Sequence, residues 1–151
     1  MIFVLRHAHA GSAANWHGPD NERPLSDRGQ LQAKRIAEAL FADGATTVFS
    51  SPYLRCVQTV SPLASMLGID VVESDDLVEG AGGTGAARLV ATAADGTVIC
   101  SHGDVLHALM GLLVAGGAPL GASLQFEKGA VLRLERDGGR IVSARYEPPE
   151  R

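Results

Sequence analysis

Three short apolar segments of this chain run directly into arginine or histidine, and this feature most constrains the fold. The segments are residues 1–5, followed by Arg6 and His7; residues 46–49, followed at short range by Arg55; and residues 97–100, followed closely by His102. In an open parallel sheet, ligands bind in the crevice beyond the carboxyl ends of the strands. The sequence therefore predicts that these side chains converge on one anion at one edge of a sheet.

Short β-branched segments alternate with longer segments of helical period, which predicts an α/β fold with a parallel sheet and crossover helices. Ser26 is the predicted N-cap of the first helix, and Gly44 is its predicted end. The other predicted elements are a helix from Pro52 to Gly68 with a kink at Pro62, a third strand over 69–72, and helices over 86–94 and 104–114. Segments 123–126, 131–135 and 141–146 alternate like strands, with a hairpin turn at 137–139.

Length and composition indicate one domain over residues 1–151, because 46% apolar residues can supply a sizeable core. A net charge of −4 without a basic stripe argues against a nucleic-acid partner. The apolar segments are too short to cross a bilayer, so neither a membrane partner nor a signal peptide is expected. Cys56 and Cys100 form no disulfide or zinc pattern, which favours a cytoplasmic location.

Four blocks of residues, spread over most of the chain, carry a resemblance to a known family. They are Arg6-His7, the helix start Pro24-Leu25-Ser26-Asp27-Arg28-Gly29-Gln30-Leu31-Gln32-Ala33, the string Ser51-Pro52-Tyr53-Leu54-Arg55-Cys56-Val57-Gln58-Thr59, and Ser101-His102-Gly103. In this order they resemble the histidine phosphatase superfamily, which also includes the cofactor-dependent phosphoglycerate mutases.

The resemblance implies a three-layer α/β/α sandwich of the phosphoglycerate mutase-like type, with a mostly parallel central sheet and a C-terminal antiparallel hairpin. The small size is most similar to the bacterial phosphohistidine phosphatases, which implies a protein that carries phosphohistidine as the partner. The chain also resembles the phosphatase-like domain of some mycobacterial nucleotide-cleaving enzymes. A nucleotide or another small phosphorylated substrate therefore stays open, as does the oligomeric state.

The resemblance also implies a mechanism that the residue chemistry supports. His7 attacks phosphorus in line and forms a phosphohistidine that water then hydrolyses, since a neutral imidazole is a competent nucleophile near pH 7. Arg6 and Arg55 hold the equatorial oxygens and His102 adds a third donor. These four residues are the predicted phosphate-binding set, and neither a metal nor another cofactor is required.

Two carboxylates compete for the role of the acid that protonates the leaving group. Glu79 follows the third predicted strand, where many family members place their acid, whereas Asp104 follows His102 and Gly103. Glu79 is favoured here. The alternative for Glu79 is a solvated acidic loop, and the alternative for Asp104 is a charge that is favourable at a helix N-terminus.

The long loop after His7 is expected to line the mouth of the site. Ser12 and Asn15 are candidate phosphate or substrate contacts, as is Asp104, while the remaining polar and aromatic residues of the loop, His9, Trp16 and His17, are interpreted as surface residues. The family commonly has glycine after the Arg-His pair, and the mutases have asparagine six residues beyond the nucleophile. Here these positions are Ala8 and Ala13, which argues against substrate binding of the mutase type.

The connection over residues 80–95 is too short for the helical insertion that covers the pocket in the mutases. The predicted site is therefore open to water, which favours hydrolysis over phosphoryl transfer. Two other classes stay as alternatives. One is a phosphate-binding module without turnover, which the presence of His7 argues against. The other is a metal-dependent hydrolase, for which no full ligand signature is present.

Overall fold

The computed structural model describes residues 1–121 and 125–150 of the chain. The strands are β1 (Ile2–Arg6), β2 (Thr47–Ser50), β3 (Val72–Glu73), β4 (Thr97–Ser101), β5 (Val131–Asp137) and β6 (Arg140–Glu147). The α-helices are α1 (Asp27–Ala42), α2 (Leu54–Leu67), α3 (Thr84–Thr92) and α4 (Gly103–Ala115). Short 3₁₀ turns lie at Ala13–Asn15, Asp20–Glu22 and Asp75–Leu77.

Within the described residues, the six strands form one mixed sheet in the order β3-β2-β4-β1-β5-β6. Strands β3, β2, β4 and β1 pair in parallel, whereas β5 is antiparallel to both β1 and β6. This topology confirms the predicted α/β class with a mostly parallel sheet and a C-terminal antiparallel hairpin. It also places the carboxyl ends of β2, β4 and β1 side by side.

The central strand β1 contributes to both faces of the sheet, because successive side chains of a strand point in opposite directions. Ile2 and Val4 pack in a core with residues of α3 and α4, while Phe3 and Leu5 pack in a second core with residues of α1 and α2. All four side chains are fully buried. Helices therefore cover both faces of the sheet, which gives the three-layer sandwich.

The start of α1 is built as the sequence predicts. The Ser26 side chain caps the helix by accepting a hydrogen bond from the backbone N–H of Gly29, and the Ser26 N–H donates to the His9 carbonyl at 3.0 Å. Glycine is required at position 29 because the helix lies very close to the loop after β1 there, and not because the backbone conformation demands it. A Cβ there would lie 1.9 Å from the carbonyl oxygen of His9, so any side chain would separate the helix from the loop after β1.

The third strand lies later in the chain than predicted. It was expected over residues 69–72, and the start of that prediction was wrong. Gly68 ends α2 in the left-handed conformation, with φ of 68°, and the N–H of Ile69 still bonds to the Ala64 carbonyl at 3.0 Å. Ile69 thus closes the helix and is not free to start a strand, so β3 begins at Val72. Helix α2 continues through Pro62 to Leu67.

The predicted strand over 123–126 falls partly on residues 122–124, which lie outside the described residues. Gln125 and Phe126 belong to no strand. The backbone carbonyl of Phe126 instead accepts a hydrogen bond from the Arg6 side chain. The hairpin of β5 and β6 is present, with its turn at Gly138 and Gly139, where both φ values are positive.

Two further features bear on the general character of the chain. Cys56 and Cys100 are free and buried. A membrane-spanning helix would need a longer apolar stretch than any helix provides in the described part of the chain.

Candidate active site

The ends of the three neighbouring parallel strands come together around one open cleft. The N–H of His7 bonds to the Ser101 carbonyl at 3.1 Å, and the N–H of Ser51 bonds to the Cys100 carbonyl at 3.0 Å, so the segments after β1 and β2 are both fixed to the end of β4. The cleft measures about 580 Å³ and is lined by Arg6, His7, Tyr53, Glu79, Gly80, Gly103 and Asp104.

His7 is held as a neutral imidazole. Its Nδ1 lies 2.8 Å from the carbonyl oxygen of Ala8. Because a carbonyl can only accept, Nδ1 carries the proton and Nε2 keeps its lone pair. Burial lowers the pKa of His7 to about 3; the hydrogen bond to the Ala8 carbonyl opposes this effect, and the nearby His102 and Arg55 add to it. At neutral pH this imidazole is therefore a nucleophile rather than a cation.

One face of α2 fixes the backbone on both sides of the site, which explains the spacing of the Arg-x-x-Gln-Thr string. The Thr59 hydroxyl accepts from the N–H of Ala8 at 2.9 Å and donates to the Arg55 carbonyl at 2.7 Å. The Gln58 side chain accepts from the N–H of Leu25 at 2.8 Å. The helix thus presents its arginine while its glutamine and threonine hold the loop that carries the nucleophile.

The Arg6 guanidinium is fixed from two sides. Its Nη1 donates to the Phe126 carbonyl at 2.7 Å. Its flat face lies against Gly103 at the start of α4, where a Cβ would approach Cζ of Arg6 to 2.8 Å. Position 103 must therefore be glycine for Arg6 to keep this place. Burial lowers the pKa of Arg6, an effect that nearby acidic groups partly offset.

Arg55 is fully buried and bonds to two acidic residues. Its Nη1 donates to the backbone carbonyl of Asp20 at 2.8 Å, and its Nη2 donates to the Asp20 carboxylate at 3.1 Å and to the Glu79 carboxylate at 2.5 Å. Asp20 also accepts from Nε of Arg23 at 3.1 Å. Burial opposes the effect, but these hydrogen bonds and charges hold the pKa of Asp20 below its usual value.

His102 is buried beside His7, with the two ring centroids 5.5 Å apart. Its Nε2 lies 2.8 Å from the Ser51 hydroxyl, which also accepts from the N–H of Tyr53 at 3.2 Å. Its Nδ1 lies 3.3 Å from the Glu79 carboxylate, close enough for electrostatic attraction but without the alignment of a hydrogen bond. The Tyr53 ring packs edge-on against the imidazole at 4.7 Å.

Three buried side-chain nitrogens have no hydrogen-bond partner within residues 1–121 and 125–150. They are Nε of Arg6, Nε of Arg55 and Nδ1 of His102. An unpaired buried polar group of this kind costs about 1–3 kcal/mol, so native proteins contain few of them. Here all three belong to the side chains gathered around His7. A group of unsatisfied nitrogens such as this one can bind an anion with several acceptor oxygens.

The other candidate residues take different positions. Asp104 lies in the cleft, where its carboxylate accepts from the N–H of Gly80 at 2.8 Å. Ser12 and Asn15 instead line a separate pocket of about 210 Å³ with Trp16 and Leu25. The remaining histidines lie away from the cleft: His9 bonds to the Ser26 hydroxyl, while His17 and His107 are exposed. No group of three or more potential metal ligands occurs among the residues that the structure describes.

One residue at the site carried no local sequence signal. Asp20, which bonds to Arg55, begins a short 3₁₀ turn in the long loop between β1 and α1. Ser51 and Tyr53, by contrast, belong to a block that the sequence analysis quoted, so their closeness to His102 could have been inferred from it.

Comparison with known proteins agrees with this fold and shows the family. Residues 2–88 match the histidine phosphatase superfamily (branch 1), and the chain belongs to that superfamily. It is 32% identical to an 8-oxo-(d)GTP phosphatase of Mycolicibacterium smegmatis over 99% of its own length. The chain spans only about half of that relative, 48% of its length.

Solved structures share the fold along nearly the whole chain. SixA from Agrobacterium tumefaciens is 24% identical with a TM-score of 0.76, and the similarity covers 98% of this chain and 97% of that one. A protein histidine phosphatase SixA in complex with tungstate is 21% identical with a TM-score of 0.72, over 97% and 93% of the two chains.

Proposed function

We propose that this protein is a metal-independent phosphatase that works through a covalent phosphohistidine on His7. The observation that carries the proposal is a set of three buried side-chain nitrogens that have no hydrogen-bond partner among the described residues. They lie on Arg6, Arg55 and His102, next to an imidazole whose Nε2 keeps a lone pair. A phosphoryl group supplies the oxygens that such donors lack. A phosphate-binding module without turnover would not need a neutral imidazole at the same place.

The proposed reaction has two displacement steps. In the first, Nε2 of His7 forms a bond to phosphorus while the bond to the leaving atom breaks and its electron pair departs with that atom. Arg6, Arg55 and His102 neutralise the charge on the equatorial oxygens. In the second, water attacks the phosphohistidine, the N–P bond breaks, and its electron pair returns to Nε2. The products are orthophosphate, the dephosphorylated substrate and free His7.

Glu79 is the proposed acid for the leaving group and the base for the attacking water. In the structure its carboxylate bonds to Nη2 of Arg55, a donor that a phosphoryl oxygen would also use. A bound phosphoryl group would compete for that donor, which would release the Glu79 carboxylate from Arg55. Asp104 is the alternative acid, since it lies in the same cleft.

Two substrate classes are supported by different observations. A protein that carries phosphohistidine fits an open cleft, and the fold is shared with a SixA described as a protein histidine phosphatase that binds tungstate, a tetrahedral oxyanion. A nucleotide is supported by the likeness to the 8-oxo-(d)GTP phosphatase, which covers nearly all of this chain. In both cases the reacting group is a phosphoryl group on a leaving atom of low basicity.

The proposed intermediate can be trapped directly. We expect rapid acid-free quenching during turnover of a labelled aryl phosphate to give a phosphoryl adduct on the peptide that contains His7, stable in base and labile in acid. Prior treatment with a chelator is expected to leave the rate unchanged. An adduct on a serine or cysteine, or activity that chelation abolishes and added metal restores, would refute the mechanism.

Replacing Glu79 by glutamine is expected to lower kcat for an alkyl phosphate by about 10²-fold or more, because the alkoxide leaving group needs a proton. The loss for p-nitrophenyl phosphate should be much smaller, since that leaving group departs without one. Asp104→Asn is the matched comparison in the same two assays. Equal losses on both substrates in Glu79→Gln, with the selective loss in Asp104→Asn, would transfer the role to Asp104.

A further inference from the structure

Asp20 holds the guanidinium of Arg55 at its outer end. Nη1 of Arg55 donates to the Asp20 backbone carbonyl at 2.8 Å, and Nη2 donates to the Asp20 carboxylate at 3.1 Å. A guanidinium is planar and its five N–H groups point in fixed directions, so a residue that contacts both terminal nitrogens lies at the outer end of the group. One residue therefore fixes the direction in which the rest of the guanidinium points.

The other edge of the guanidinium, formed by Nε and the second N–H of Nη2, faces the site. Nε has no hydrogen-bond partner in the described part of the chain. Nη2 donates to Oε1 of Glu79 at 2.5 Å, and the same oxygen lies 3.3 Å from Nδ1 of His102. A carboxylate oxygen thus occupies the place where the donors of Arg55 and His102 meet. A phosphoryl group that displaces it can bond to Nε and Nη2 together, in the forked geometry that arginine forms with oxyanions.

Asp20 is itself tied to the loop that carries the proposed nucleophile. Nε of Arg23 donates to the Asp20 carboxylate at 3.1 Å, and Nη1 of Arg23 donates to the Ala10 carbonyl at 2.8 Å. Arg23 is buried, so this link is shielded from water. Ala10 follows His7 closely in the chain. A continuous set of hydrogen bonds therefore connects the position of Arg55 to the segment after His7.

The flat face of the same guanidinium is covered by an aromatic ring. Cζ of Arg55 lies over the Tyr53 ring, 5.0 Å from its centroid. This contact limits tilting of the group, but it does not prevent rotation within the plane. Without the Asp20 carboxylate, a further N–H of Arg55 would be free to pair with Glu79 in the bidentate form that arginine and carboxylates favour. Such a pair would turn Nε away from the phosphate position and hold the proposed acid.

We infer that Asp20 is a positioning residue for the proposed reaction, which directs the Nε and Nη2 edge of Arg55 at the phosphoryl group. The inference rests on the proposed function, since it requires Arg55 to bind the phosphoryl group that His7 receives. Asp20 acts through Arg55 and has no contact with the substrate in this role. The opposite role, that of an inhibitor which occupies a donor needed by the phosphate, predicts faster turnover when the carboxylate is removed.

A double-mutant cycle separates an action through Arg55 from a general effect on the loop. Asp20→Ala removes the carboxylate and keeps the backbone carbonyl, and it is made both in the wild type and in Arg55→Ala. Asp20→Asn keeps an oxygen that can accept from Nη2 but loses the charge. Glu22→Ala is the control, because it removes an exposed carboxylate from the same 3₁₀ turn. The measurements are kcat for p-nitrophenyl phosphate and the urea midpoint of each protein.

We expect Asp20→Ala to lower kcat about tenfold in the wild type, which is the effect of one hydrogen bond to a charged group, and Asp20→Asn to recover part of this loss. In Arg55→Ala the same substitution should lower kcat no further, because the guanidinium that Asp20 orients is absent. Glu22→Ala should keep the wild-type rate. If Asp20→Ala does not fold, Asp20→Asn takes its place in the cycle, with a smaller loss expected.

The inference would be overturned by a loss in Arg55→Ala as large as the loss in the wild type, because the two side chains would then act independently. An unchanged or higher kcat in Asp20→Ala, or an equal loss in Glu22→Ala, would overturn it as well. These results leave the proposed function intact if the wild type forms the phosphoryl adduct on His7. Absence of both the adduct and hydrolysis in the wild type would instead overturn the proposed function.

Discussion

Replacing His7 by asparagine is expected to lower kcat for p-nitrophenyl phosphate by at least about 10⁴-fold, because the covalent route is lost with its nucleophile. Asparagine keeps an N–H that can donate to the Ala8 carbonyl, as Nδ1 of His7 does at 2.8 Å, so the loop after β1 should keep its place. Steady-state rates with the purified variant test the expectation, and the phosphoryl adduct should disappear with the activity. A variant that kept a tenth of the wild-type rate would show that another residue is the nucleophile.

Stability against pH provides the control for this variant. In the wild type, burial lowers the pKa of His7 to about 3 from the ordinary value of 6.5. When the pH lies below the pKa of His7 in the unfolded chain, the unfolded chain binds a proton at His7 that the folded chain does not bind. The free energy of unfolding therefore falls as the pH drops from about 6.5 towards 3. His7→Asn removes this contribution. Urea unfolding at pH 7 and at pH 4.5 should therefore show a smaller pH-dependent loss in the variant than in the wild type.

Replacing Arg55 by alanine is expected to lower kcat by about 10²–10³-fold, since one donor to the phosphoryl oxygens is removed. The effect should exceed that of an ordinary surface arginine because Arg55 is fully buried and its Nε has no partner within residues 1–121 and 125–150. The variant also leaves Asp20 and Glu79 without their common cation, which adds negative charge where a phosphate must bind. The measurement is kcat and KM with p-nitrophenyl phosphate.

Two comparisons separate the loss of this donor from a general loss of structure. Arg88→Ala removes an exposed arginine from α3 and should keep the wild-type rate. Arg55→Lys keeps the charge but not the forked geometry, so it should recover only part of the activity. Wild-type turnover by Arg55→Ala, in a sample with an unchanged urea midpoint, would exclude Arg55 from phosphate binding.

The meeting of the strand ends could be predicted from the sequence because it follows from a general property of parallel sheets. Arg6, His7 and His102 lie at or just after the ends of β1 and β4, and these strands are neighbours in the sheet. Any parallel arrangement would bring them to one edge. The spacing of Arg55, Gln58 and Thr59 along α2 likewise follows from the period of a helix.

The rest of the site depends on contacts that have no local signal. Asp20 lies 35 positions before Arg55 in the sequence, in a short 3₁₀ turn, and its carboxylate is held in place by Arg23. The Phe126 carbonyl reaches Arg6 because β5 pairs antiparallel with β1, which brings the segment before β5 to the end of that strand. Strand β3 started later than predicted because hydrogen bonding at the end of α2 extends one residue past Gly68.

The direction of a side chain in the cleft depends on how β1 packs in the hydrophobic core. Its alternate side chains fill two separate cores, and its final residue carries the Arg6 guanidinium. A slip of one position in the pairing of this strand would exchange the two sets of core residues and turn Arg6 to the opposite side of the sheet. Selection for a well-packed interior therefore also preserves the direction of the Arg6 side chain, and mutations that loosen β1 should impair turnover before the chain unfolds.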